Sequence, residues 1–141
     1  MNDDIQKQIF EVLEKHDLCV LSTVTTDNVP QAAIVGFSPN ASLQLLIGTS
    51  NRTRKYANLQ HNQRVAVTVG DYESEVQYEG TVRQLTKTEL AEHLETHFDK
   101  LPGTAKYLED ETQAWFLLDP SWIRLTVHGT VNTVTELKDF A

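Results

Sequence analysis

The chain has 141 residues, and its 12 Lys and Arg against 20 Asp and Glu give a net charge of minus 8, which disfavours a nucleic-acid partner because a polyanion is repelled. A hydrophobic content of 40% with only 6 Gly and 4 Pro suits a globular chain with its own core and excludes a disordered or fibrous one. No apolar run approaches the roughly 20 residues of a membrane helix, Met1-Asn2-Asp3-Asp4 lacks the basic start of a secretory signal, and the lone Cys19 allows no internal disulfide, so a single cytoplasmic domain over residues 1–141 with no membrane partner is expected.

Ile5, Ile9, Val12 and Leu13 recur at helical spacing behind the possible caps Asn2 and Asp3, which predicts an amphipathic helix ending near Lys15. A strand over 18–24 follows, with Cys19 as a buried strand residue, and a polar turn leads through Pro30 into a second strand over 31–38. A turn at Pro39-Asn40-Ala41-Ser42 precedes a third strand over 43–49, and the short links predict an antiparallel meander of these three. Tyr56 and Leu59 suit a short helix, and 64–69 and 75–85 read as a fourth and a fifth strand. On the fifth, Val76, Tyr78, Gly80 and Val82 share one face, and Gly80 marks a bulge or bend.

Thr86-Lys87-Thr88-Glu89 fits a capping box, and Leu90, Leu94, Phe98 and Leu101 trace one face of a second long helix that Pro102-Gly103 ends. A helical turn over 105–110, two strands over 114–118 and 122–128 joined at Asp119-Pro120-Ser121, and a last short strand through Thr135 complete the pattern. The fold class expected is mostly β with flanking helices: a small antiparallel barrel of six to seven strands with two main helices outside.

The junction Gly48-Thr49-Ser50-Asn51-Arg52-Thr53-Arg54-Lys55 carries the chemistry. Arg52, Arg54 and Lys55 stand at a helix start, where the macrodipole already places about half a positive charge. Free backbone N–H groups, hydroxyls and cations there all donate to one anion, and a phosphate fits. No Asp or Glu occurs from Asn28 through Gly70, a window that carries plus 4 while the rest of the chain carries minus 12. An acidic chain that clears its acids from one stretch keeps an anion site free of repulsion, although a buried sheet region would lack acids too.

Other constellations are weaker. His93 and His97 lie four apart on the second long helix, but His-Leu-Glu-Thr-His is not the zinc-protease order, and a helix flank with His97 bordering the core is the expected reading. Trp115, Phe116 and Trp122 suit core packing, a flat ligand or a subunit contact.

Leu21-Ser22-Thr23-Val24, Pro30, and above all Thr49-Ser50-Asn51-Arg52-Thr53-Arg54-Lys55 followed by Asn58-Leu59 and Asn62-Gln63-Arg64-Val65-Ala66-Val67, resemble the FMN-binding split β-barrel family, the pyridoxamine 5'-phosphate oxidase-like proteins. The resemblance covers most of the chain and implies a split antiparallel β-barrel. It implies that Thr53, Arg54 and Lys55 hold the FMN phosphate, that Thr49 and Ser50 lie by the ribityl chain, that Ala33, Ile34 and Val35 offer backbone to the isoalloxazine edge, and that Gln77 approaches the flavin or its tail. It further implies a homodimer with FMN at two sites between subunits. The true oxidase carries an Arg and a Lys on the strand that here reads Gln31-Ala32-Ala33-Ile34-Val35-Gly36, and an Arg-x-His near its end that is absent from Thr135-Glu136-Leu137-Lys138-Asp139-Phe140-Ala141, which argues against oxidation of pyridoxine phosphate.

The function expected is an FMN-dependent oxidoreductase in which the flavin transfers hydride or electrons with a small-molecule donor or acceptor, and no side chain is required as acid or base. A non-catalytic flavin-binding or storage protein, and a related barrel holding haem or deazaflavin, are the alternatives. A barrel this small fills its own interior, so the ligand is expected between subunits, with Trp115, Phe116 and the alternate faces of the fourth and fifth strands as the contact surface.

Overall fold

The opening pattern folds as helix α1, Asp3–Lys15, with Asp3 and Asp4 in its first turn and Lys15 in its last, the charge order that suits a helix dipole. The computed structural model describes residues 3–140, so the possible cap Asn2 lies outside the described residues. Ile9 and Leu13 are fully buried, and side chains of that size contribute about 1.5–3 kcal/mol each when removed from water.

Strands β1, Leu18–Val24, and β2, Pro30–Gly36, form an antiparallel hairpin. The chain then makes a two-residue strand β3, Ser38–Pro39, and turns into β4, Leu45–Ser50. That turn runs later than the sequence suggested, over residues 40–44, so β4 starts at Leu45 and not at Leu43: Asn40 and Gln44 close it, and Leu43 sits at φ 64 with its side chain fully buried. After helix α2, Arg54–His61, come β5, Arg64–Gly70, and β6, Ser74–Gln84. Helix α3, Lys87–Lys100, begins with the expected capping box of Thr86 and Glu89, and a 3-10 helix, Pro102–Tyr107, follows it. Strands β7, Gln113–Val127, and β8, Thr133–Leu137, end the fold.

All pairings are antiparallel, and the sheet order is β2-β1-β5-β6-β7-β4-β3, with β8 on the far half of β7. The expected three-strand meander is therefore corrected. β4 does not pair with β2: one edge pairs with β7, from Leu45 opposite Leu118 to Ser50 opposite Gln113, and the other pairs only with the two-residue β3. β2 and β4 approach each other without a ladder, so the curled sheet is a half-barrel split along that seam.

The two strands expected over 114–118 and 122–128 are one. β7 runs through Asp119 and Pro120 without a break, because the register shift at Glu79 and Gly80 on β6 absorbs the bend opposite them. Gly80 is required there, since a Cβ would collide with the Asp119 carbonyl.

Trp115 and Phe116 are also corrected: at 6% and 2% exposure they are core, and neither can reach another subunit. The β4–β7 pair is covered on both faces. Phe116, Ile47 and Leu118 point into the barrel core, where Tyr56 meets Phe116 edge to face, while Trp115, Leu46 and Leu117 pack under α3. Trp115 lies across Gly48 of β4, where a Cβ would stand 2.9 Å from its ring.

Candidate functional site

The strand-to-helix junction is built by its hydroxyls. Thr53 has extended backbone and caps α2, accepting from Tyr56 N through Oγ1 at 3.2 Å. Its hydroxyl also reaches the Ser50 carbonyl at 3.0 Å and stands 3.0 Å from Thr49 Oγ1. Ser50 Oγ accepts from Arg52 N and lies 3.3 Å from Thr112 Oγ1, and Asn51 N donates to the Thr112 carbonyl at 2.7 Å. These bonds hold the start of α2 against the end of β4.

The first turn of α2 then faces the β1–β2 hairpin across a cleft of about 110 Å³. Arg54 and Lys55 form one side. Leu21 and Thr23 of β1 and Gln31, Ala32 and Ala33 of β2 form the other. Helix geometry leaves the first backbone N–H groups without carbonyl acceptors, so this turn presents donors as well as charge. Among the described residues no carboxylate forms a salt bridge with Arg52, Arg54, Lys55 or Arg64, and only Arg52 has an acidic group, Asp110, near enough to feel its charge. Partial burial holds the Lys55 ammonium below its ordinary pKa, a penalty that a bound anion would offset.

The residues singled out from sequence divide into four groups. Arg54, Lys55 and Ala33 line the cleft. Thr49, Ser50 and Thr53 stand behind it in the junction, Thr49 being buried. Strand alternation puts Ile34 on the outward face at 70% exposure and Val35 in the core. Gln77 lies elsewhere, on β6 opposite Thr68 and Arg124, with its amide donating to Glu75 Oε1.

Sequence reasoning missed Leu21, Thr23, Gln31 and Ala32 as cleft walls, and missed Asn58, which reaches from α2 to both Thr23 and Gln31. A signal existed in Asn58, a polar residue one helical turn beyond Arg54 beside the apolar Leu59, but its partners lie more than 25 residues away.

The histidines form no such site. His97 is buried with Nδ1 2.7 Å from Ser38 Oγ and its ring edge-on to Trp115, and burial, with Lys100 nearby, pushes its pKa down to about 4. No cluster of three metal-ligating side chains occurs among the described residues. Cys19 is buried, and that burial pushes its thiol up to about 12, which disfavours the thiolate. No helix among the described residues is long and apolar enough to cross a membrane.

No curated protein matches the chain. Among solved structures the fold is shared with General Stress Protein 26 from Bacillus anthracis, at TM-score 0.72 and 20% identity, over 94% of this chain and 98% of that one. It is shared with a heme binding protein from Mycobacterium smegmatis at TM-score 0.78 and 17% identity, over 96% of this chain but 58% of that one. ChuZ from Campylobacter jejuni gives TM-score 0.82 at 10% identity, over 99% of this chain and 61% of that one. The chain thus spans little more than half the length of the last two proteins. Residues 5–127 match the family described as Pyridoxamine 5'-phosphate oxidase, most of the chain including both walls of the cleft, and the chain belongs to that family.

Proposed function

We propose that the protein binds FMN as a homodimer and acts as a flavin-dependent oxidoreductase. The observation that carries this reading is the meeting of Arg54 and Lys55, free of acidic partners, with the start of α2 and the β1–β2 wall in one cleft. The residues fit the group: two cations and helix N–H donors suit a phosphate, and the edge strand β2 has one backbone side unpaired for the polar rim of a flat ring. Bound there, FMN supplies the hydride or electron transfer. The chain's part is to hold the phosphate through Arg54 and Lys55 and to orient the cofactor along β2.

The cleft is smaller than the roughly 300–1,000 Å³ of ordinary ligand sites, so the rest of the enclosure comes from outside this chain. A second copy is the cover proposed. Leu18, Val20 and Ile34 stand exposed on the outward face of the hairpin, continuous with Ala66 of β5, and this surface replaces Trp115 and Phe116 as the contact. Haem would need an iron ligand, and none of the residues lining the cleft is His, Cys, Met or Tyr.

The absorbance spectrum of the purified protein and an equilibrium titration with FMN test the reading. A flavin spectrum and saturable binding are expected; a haem spectrum, or no FMN binding, overturns it. Anaerobic reduction of the loaded protein by NAD(P)H separates an enzyme from a flavin-storing protein.

A further inference from the structure

Asn58 lies one turn into α2 and is 8% exposed, yet its side-chain amide bonds to nothing in its own helix. Its Nδ2 donates to Thr23 Oγ1 at 2.9 Å and to Gln31 Oε1 at 3.0 Å, so both amide hydrogens are spent on two residues that face each other across the β1–β2 hairpin. The consequence for those residues is directional. A carboxamide whose oxygen accepts is left with its N–H donors, and a hydroxyl whose oxygen accepts is left with its hydrogen. Thr23 and Gln31 both line the cleft, and neither has another partner among the described residues.

We propose that Asn58 is a positioning residue that fixes Thr23 and Gln31 as hydrogen-bond donors toward the cleft, and that this wall selects the acceptor oxygens and nitrogens of the cofactor beyond its phosphate. The proposal rests on the FMN reading above. Together with Arg54, Lys55 and the first amides of α2, it makes every polar side chain on the cleft a donor, with the free backbone edge of β2 beside them. A ligand with acceptors along its whole length is matched, and one presenting a donor to Gln31 leaves two N–H groups facing each other unpaired. The division of labour follows: Arg54 and Lys55 read the phosphate, while Thr23 and Gln31 read what riboflavin shares with FMN.

The test titrates FMN and riboflavin into the wild type and into Asn58→Asp, Asn58→Leu, Gln31→Leu and the Asn58→Leu/Gln31→Leu pair, with thermal melts alongside. Asn58→Asp keeps the network bonded but reverses it, because the carboxylate accepts from Thr23 and Gln31 and turns the Gln31 oxygen to the cleft. The dissociation constants for FMN and riboflavin should both rise about tenfold or more in each single variant, with their ratio held within about threefold in the uncharged Asn58→Leu and Gln31→Leu, since one lost directed bond corresponds to about that factor. The paired variant should lose no more than the worse single one, as members of one network do.

Failure to bind FMN in the wild type removes the FMN reading itself. With wild-type binding intact, unchanged affinities in Asn58→Asp overturn the positioning role. So does a loss confined to FMN in the uncharged Asn58→Leu or Gln31→Leu, and so does additivity in the paired variant. Should the Asn58 variants melt below the assay temperature, Gln31→Leu on the edge strand decides alone: unaltered riboflavin and FMN binding overturns the proposal.

Discussion

Thr49 Oγ1 and Thr53 Oγ1 stand 3.0 Å apart, so the last buried residue of β4 is tied directly to the cap of α2. The strand that is locked into the sheet by β7 thereby fixes the height and direction of the helix start, and with it the cations of the cleft. The hydroxyls prominent in the sequence serve the frame, and Arg54 and Lys55 after them line the cleft.

Thr53→Ala should therefore lower stability by about 1 kcal/mol, the usual effect of losing an N-cap. Urea denaturation of the cofactor-free protein measures it. FMN affinity should fall in the same variant, because α2 frays at the end that faces the cleft.

Arg54→Ala and Lys55→Ala should each weaken FMN binding by about 2 kcal/mol, the loss of one charge-assisted hydrogen bond to phosphate. Riboflavin affinity should hardly change in either. Equal losses for both ligands would move the phosphate away from these side chains.

His97 makes stability depend on pH with a definite sign. It stays neutral in the fold down to about pH 4, whereas unfolded it takes up a proton near its ordinary 6.5. Between those values the unfolded chain binds more protons, so its stabilising effect is complete above 6.5 and is lost as pH falls toward 4, by up to about 3 kcal/mol. Denaturation midpoints at pH 7, 6 and 5 should fall more steeply for the wild type than for His97→Gln; parallel curves refute the assignment.

Gly80→Ala should destabilise by about 1–3 kcal/mol, since its Cβ meets the Asp119 carbonyl at the bulge and backbone must shift. Calorimetry should show a lower melting temperature. A neutral substitution would mean that β6 relaxes without disturbing β7.

Ile34→Glu places a charge on the exposed apolar face of β2 and should shift sedimentation equilibrium toward monomer while reducing FMN affinity. A wild-type monomer that binds FMN stoichiometrically would remove the intersubunit site.

What the sequence determined by itself is local. The acid-free window, the cation-rich start of α2, the Thr86 and Glu89 capping box and the alternation of Val76, Tyr78 and Val82 on β6 all appear in the structure where they were read, because each depends on residues within a few positions of one another. Tertiary structure decided which strands are partners. β4 pairs with β7 on one edge and with the short β3 on the other, not with β2, and its two faces are buried against the barrel core and against α3, residues far from it in sequence. The same long-range packing put Trp115 and Phe116 inside, since an aromatic side chain has the same composition signal in a core as at an interface. It also brought Asn58 to Thr23 and Gln31, a set of bonds that exists only once α2 lies across the hairpin.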